Sequence, residues 1–144
     1  MFSWLLGSTS SIKRINFEDM QYCIKNKEKF IIINTLSEKE QNCLINNTII
    51  SSKEVDIINE QINNPTRNII IYGKNCNDKK VDEKYKQISN LGLYNLYIYT
   101  GGLFEWLCLQ DIYGEDEFQT TTNEIDILKF KPCKKITSTL LLTN

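Results

Sequence analysis

Residues 68–106 read NIIIYGKNCNDKKVDEKYKQISNLGLYNLYIYTGGLFEW. The run Asn68-Ile69-Ile70-Ile71-Tyr72 is apolar at successive positions rather than alternate ones. A strand of that kind suits a parallel sheet covered on both faces. Gly73 to Asp78 then form a polar loop. Asn77 or Asp78 caps a helix with Asp82 and Glu83 in its first turn, where negative charge suits the helix dipole. Val81, Tyr85 and Ile88 fall on one face of that helix, and Gly92 is placed as its C-terminal cap. Leu96-Tyr97-Ile98-Tyr99 is a further strand. Thr100-Gly101-Gly102 turns tightly into an apolar helix, Leu103 to Ile112, that carries Trp106. Alternating strands and helices of this kind predict βαβ units and a mainly parallel sheet.

The pattern extends toward the N-terminus. Asn16 caps a helix from Phe17, with Asp19 in its first turn and Phe17, Met20 and Ile24 on one face. Phe30-Ile31-Ile32-Ile33 is a second buried strand, closed by Asn34 and Thr35. Residues 36–47 are polar and predict a short helix or irregular loop, and Thr48-Ile49-Ile50 a short strand. Ser51 and Glu54 have capping-box spacing ahead of Val55, Ile58 and Ile62; Asn63-Asn64-Pro65 stops that helix. Beyond Gly114 the composition changes. Glu115-Asp116-Glu117 is an acidic turn, Thr120 to Thr122 a polar patch, and Ile125 with Leu128 a short helical face. Leu140 to Leu142 either dock as a strand or stay loose. The chain therefore divides into an N-terminal apolar segment (1–15), an α/β domain (16–114) and a C-terminal extension (115–144).

The whole chain has 144 residues, 41% hydrophobic and 24% charged, which fits one domain with one core. Its net charge of −1 supplies no field for nucleic acid or acidic lipid. Histidine is absent, so imidazole bases, Ser-His and Cys-His dyads and His-bound metals are excluded. The five cysteines, Cys23, Cys43, Cys76, Cys108 and Cys133, include no C-x-x-C pair, so neither a zinc knuckle nor a disulfide framework is expected. No phosphate-binding loop, dinucleotide fingerprint or cofactor motif is present, so no cofactor is expected. The opening MFSWLL is too short for a signal-peptide core or a membrane span, and a cytoplasmic, reducing setting is expected. Phe2, Trp4 and Leu5 read as packing on the domain, with a membrane or partner contact as the alternative.

From Ile69 to Trp106 the order of strand, loop, helix, Leu91-Gly92-Leu93-Tyr94-Asn95, strand and Gly101-Gly102-x-x-x-Trp106 resembles the C-terminal half of a rhodanese (sulfurtransferase) domain. The likeness covers roughly residues 16–112 and is similar to the small rhodanese-like proteins of large DNA viruses, a source with which the abundance of Asn, Ile and Lys is compatible. It implies a three-layer α/β/α fold with a mainly parallel central sheet of about five strands. The family's first half is poorly kept. Asn34-Thr35-Leu36 stands at its "Asp-x-Arg", and Cys43-Leu44-Ile45-Asn46-Asn47-Thr48 at its "Gly-His-Ile-x-Gly-Ala".

The resemblance places the chemistry in Gly73-Lys74-Asn75-Cys76-Asn77-Asp78-Lys79. A rhodanese holds a thiolate in a cradle of backbone N–H groups at a helix's positive end, which lowers the thiol pKa and steadies an anionic persulfide. The family's nucleophile position, directly after the strand, is Gly73, which has no nucleophile. Cys76 comes three residues later, near the helix start. Lys74, Lys79 and Lys80 either attract an anion such as thiosulfate or form a solvated edge. No arginine follows Cys76 in the loop, which argues against a phosphatase-like Cys-x5-Arg site.

Two readings stay open on the sequence. One is a non-catalytic module that binds a protein partner or a small sulfur-containing anion at the C-terminal ends of the strands. The other is a thiosulfate or persulfide sulfurtransferase carrying sulfur on Cys76. Cys23 and Cys108 read as core residues, and Cys133 lies among Lys131, Lys134 and Lys135.

Overall fold

The computed structural model describes residues 12–137 and residue 140. The apolar residues Phe2, Trp4 and Leu5, and Leu141 and Leu142, lie outside them. The described residues form an α/β fold with four strands and four α-helices: β1 (Arg14–Ile15), α1 (Phe17–Lys25), β2 (Phe30–Asn34), α2 (Glu54–Asn63), β3 (Asn68–Tyr72), α3 (Lys79–Asn90), β4 (Leu96–Tyr99) and α4 (Gly102–Tyr113). The sheet order is β1-β4-β3-β2, and every pairing is parallel. β3 lies inside the sheet, with Ile69 to Ile71 flanked by Ile31 to Ile33 and by Leu96 to Ile98. That position accounts for its unbroken apolar run.

Side-chain alternation divides the strands between two cores. Ile31, Ile33, Ile69, Ile71 and Ile98 pack with Ile58 of α2 and Val81 and Ile88 of α3. Ile32, Ile70, Tyr72 and Tyr99 pack with Met20 and Cys23 of α1 and Leu103, Trp106 and Leu107 of α4. Each fully buried Ile or Leu contributes about 1.5–3 kcal/mol by leaving water.

Local chemistry sets the helix starts. Asn16 Oδ1 accepts from the Asp19 amide at 2.9 Å and Asp19 Oδ2 from the Asn16 amide at 3.2 Å, a complete capping box. α2 departs from expectation. Ser51 starts a single 3₁₀ turn, Ser51–Lys53, and Lys53 rather than Ser51 precedes the helix without a side-chain cap. Its inward face also differs. Val55 is 67% exposed and Ile62 is at the surface, while Ile58 and Gln61 are buried. Gln61 is tolerated inside because its Oε1 accepts from the amides of Thr66 and Arg67, fixing the turn into β3.

The strand expected at Thr48-Ile49-Ile50 is reduced to one parallel bridge between Ile32 and Thr48. Asn47 just before it adopts φ 66°, and the chain leaves at once into the 3₁₀ turn. The residues preceding it are buried although irregular. Leu44 and Ile45 are sealed in the core, and the Tyr72 hydroxyl accepts from the Ile45 amide at 3.1 Å. The stretch after Gly114 belongs to the same core. Phe118 and Phe130 are buried there, Trp106 Nε1 donates to the Gln119 carbonyl at 3.0 Å, and Ile45 bridges Thr120. The expected helical face is absent: Ile125 and Leu128 are exposed, and a 3₁₀ turn at Ile127–Phe130 buries Phe130 instead. No helix among the described residues is long and apolar enough to cross a membrane.

Candidate functional site

The loop 73–78 leaves the C-terminal end of β3, where α3 and α4 both begin. It rests on α4: the Leu103 and Phe104 amides donate to the Gly73 and Lys74 carbonyls, each at 2.9 Å. Two helix N-terminal donors are thereby satisfied by the loop itself. Gly102 permits this approach. Its φ is +68°, and a Cβ there would lie 2.8 Å from the Gly73 carbonyl oxygen and 2.9 Å from the Asn75 nitrogen.

The loop amides of Lys74, Asn77 and Asp78 are engaged as well. Asp78 caps α3, its Oδ1 accepting from the Lys80 amide at 3.0 Å. Its Oδ2 turns back into the loop, accepting from the Lys74 amide at 3.1 Å and from Thr35 Oγ1 at 2.9 Å. Asn75 Oδ1 accepts from the Asn77 amide at 2.9 Å, and the Asn75 carbonyl accepts from the Asp78 amide. A carboxylate of the protein thus sits among the N–H donors of the loop and the helix start.

Gly73 is buried in this arrangement. A Cβ there would collide with Asp78 Oδ2 and lie 2.6 Å from Val81 Cγ2 and 2.7 Å from Thr35 Oγ1. The position that the resemblance gives to the nucleophile has no room for any side chain while Asp78 holds its place.

The other loop residues divide by environment. Lys74 is half-buried and pairs with Glu40 at 3.1 Å. Burial pushes the Glu40 carboxyl up, but hydrogen bonds from Ser37 and Lys74 outweigh it and leave its pKa below the usual value. Asn75 Nδ2 donates to the Phe130 carbonyl at 2.9 Å, tying the loop to the C-terminal stretch. Cys76, Asn77 and Lys79 are exposed, and the Cys76 thiol faces Asn77 Oδ1 at 3.8 Å. Beside Cys76 is a polar cavity of about 150 Å³, lined by Arg14, Asn75, Cys76, Asp78, Asp82 and Thr100. Arg14 is held there by Asp82 at 3.5 Å.

The remaining thiols sit in different settings. Burial, with help from Asp19, pushes the Cys23 thiol up to about 12. Burial likewise raises Cys43 and Cys108, the latter with help from Asp111 and Glu105. Cys108 is only half-buried, short of the core position expected for it. Cys133 is exposed. Among the described residues, no group of His, Cys, Asp or Glu side chains is placed to hold a metal.

Two features escaped sequence reading. Asp78 was legible as a helix cap, but its second oxygen is committed by Thr35, which is distant in sequence. Asn34 and Gln41 form a reciprocal amide pair, with Gln41 Nε2 donating to Asn34 Oδ1 at 2.8 Å and Asn34 Nδ2 to Gln41 Oε1 at 3.2 Å. The pair shapes the segment that the resemblance sets against the family's "Asp-x-Arg". Compared with known proteins, the chain matches no family model and no curated protein.

Proposed function

We propose that this chain is a rhodanese-like module of the three-layer type whose sulfur-handling loop is closed by its own carboxylate, and that it acts by binding rather than by catalysis. The observation that carries the reading is Asp78 Oδ2, bonded to the Lys74 amide and Thr35 Oγ1 against the Cα of Gly73. A persulfide anion would need those donors, and they are already spent on a group that carries the same charge. Support for the family comes from the strand–loop–helix order, the all-parallel sheet, and Gly102 packed against the loop. The binding surface is the rim at the C-terminal ends of the strands, where ligands of parallel α/β sheets gather. Its partner is a protein or a small sulfur-containing anion.

The test is direct. The reduced chain is incubated with thiosulfate or with a persulfide donor, and its intact mass is measured. The expected result is no stable sulfur adduct on Cys76. An adduct that maps to Cys76 and disappears in Cys76→Ser would establish sulfur transfer and overturn the non-catalytic reading.

A further inference from the structure

We infer that the rim built from residues 74–80 and 129–135 is a docking surface for an acidic peptide segment of a protein partner. The inference rests on the binding-module reading and names the partner's chemistry. Asn75 Nδ2 donates to the Phe130 carbonyl at 2.9 Å, which sets the two segments side by side at the C-terminal edge of the sheet. Residues 74–80 carry three lysines and one aspartate, and 129–135 carry four lysines and no acid, together a net +6. The whole chain is −1, so the remainder carries −7. The one acid in these segments, Asp78, is turned inward onto the Lys74 amide and Thr35.

Lys74 and Lys129 have carboxylate partners, Glu40 and Glu124. Lys79, Lys80 and Lys131 are exposed, and among the described residues no carboxylate pairs with them. Leu128 and Ile136, 63% and 76% exposed, flank the second group of lysines. Exposed ammonium groups beside bare apolar side chains fit a peptide that mixes carboxylates with apolar residues. Nucleic acid fits less well. Neither segment offers an arginine fork or an exposed aromatic ring for base stacking.

The test uses the full chain carrying Cys76→Ser, so that sulfur chemistry at that thiol plays no part. A fluorescein-labelled peptide of repeating Glu-Glu-Leu is titrated by anisotropy at several salt concentrations. We expect binding that weakens as salt rises, and a roughly tenfold loss in Lys79→Glu/Lys80→Glu/Lys131→Glu. Charge reversal of Lys25, Lys27 and Lys29, at the opposite edge of the sheet, should leave affinity unchanged. Circular dichroism checks that both variants fold. Absence of binding, equal losses in the two variants, or tighter binding of a single-stranded oligonucleotide overturns the inference. A sulfur adduct on Cys76 of the unaltered chain would overturn the non-catalytic reading alone, and the peptide result would stand.

Discussion

Thr35 Oγ1 donates to Asp78 Oδ2 at 2.9 Å, joining the residue that follows β2 to the cap of the helix that follows β3. Neighbouring parallel strands end within reach of one carboxylate. Three donors converge on it: this hydroxyl and the amides of Lys74 and Lys80. The carboxylate serves as helix cap and as loop staple.

Replacing Asp78 should therefore cost more than an ordinary cap. Asp78→Ala removes the cap and frees two further donors, with an expected loss of about 2–3 kcal/mol. Urea denaturation measures it. Asp78→Asn keeps an acceptor oxygen on the same side chain and should lose about half as much. Equal losses in the two variants would show that the hydrogen bonds at Asp78 contribute little.

Placing a cysteine at position 73, which the resemblance gives to the nucleophile, should harm the protein. Gly73→Cys forces a Cβ against Asp78 Oδ2, Val81 Cγ2 and Thr35 Oγ1, a strain of about 1–3 kcal/mol. The penalty should shrink when Asp78 is also replaced by glycine. A double-mutant cycle with no coupling between residues 73 and 78 would contradict the proposed closure.

Thiol reactivity should sort by burial. The thiolate is the reactive form, so a raised pKa slows modification near neutral pH. Cys76 and Cys133 are exposed and should react with a disulfide reagent at once. Cys108 should follow more slowly, and Cys23 and Cys43 only on unfolding. Mass mapping after timed quenching checks the order, and early labelling of Cys23 would refute it.

Alkaline pH should destabilise the fold. The Cys23 thiol rises from 9.0 to about 12 on folding, so above the lower value the unfolded chain has lost a proton that the native state keeps. The unfolded state then binds fewer protons, and stability falls as pH rises through this window. Burial first, then hydrogen bonding and charge from Glu105, raises Tyr99; burial raises Tyr72 against its hydrogen bonds. Both act with the same sign above their ordinary value of 10.0. Melting temperatures followed from neutral pH to about pH 11 should decline, and a flat profile would remove these groups from the account.

Continuous apolar runs made β2, β3 and β4 legible from sequence, and polar caps did the same for the starts of α1 and α3. What failed were features decided by distant neighbours. Thr48 to Ile50 have strand-forming side chains, but only a single bridge to Ile32 forms before the chain turns away. Val55 and Ile62 have helical spacing, yet the helix turns Ile58 and a hydrogen-bonded Gln61 inward. In the loop, residue identities pointed to Cys76, whereas the geometry turns on Asp78 and on the absence of a side chain at Gly73. No local pattern shows that Thr35 lies opposite Asp78, because their proximity is created by the pairing of β2 with β3.

The bond from Asn75 to the Phe130 carbonyl also bears on the order of maturation. A chain is synthesised from its N-terminus, and domains generally fold as units once enough of them has emerged. All four strands of the described residues precede Phe130, so the sheet can assemble on the ribosome before Asn75 finds its acceptor and Phe130 fills the core. This edge is thus completed only after the strands that support it, and a nascent chain stalled short of Phe130 would present the sheet without its finished edge.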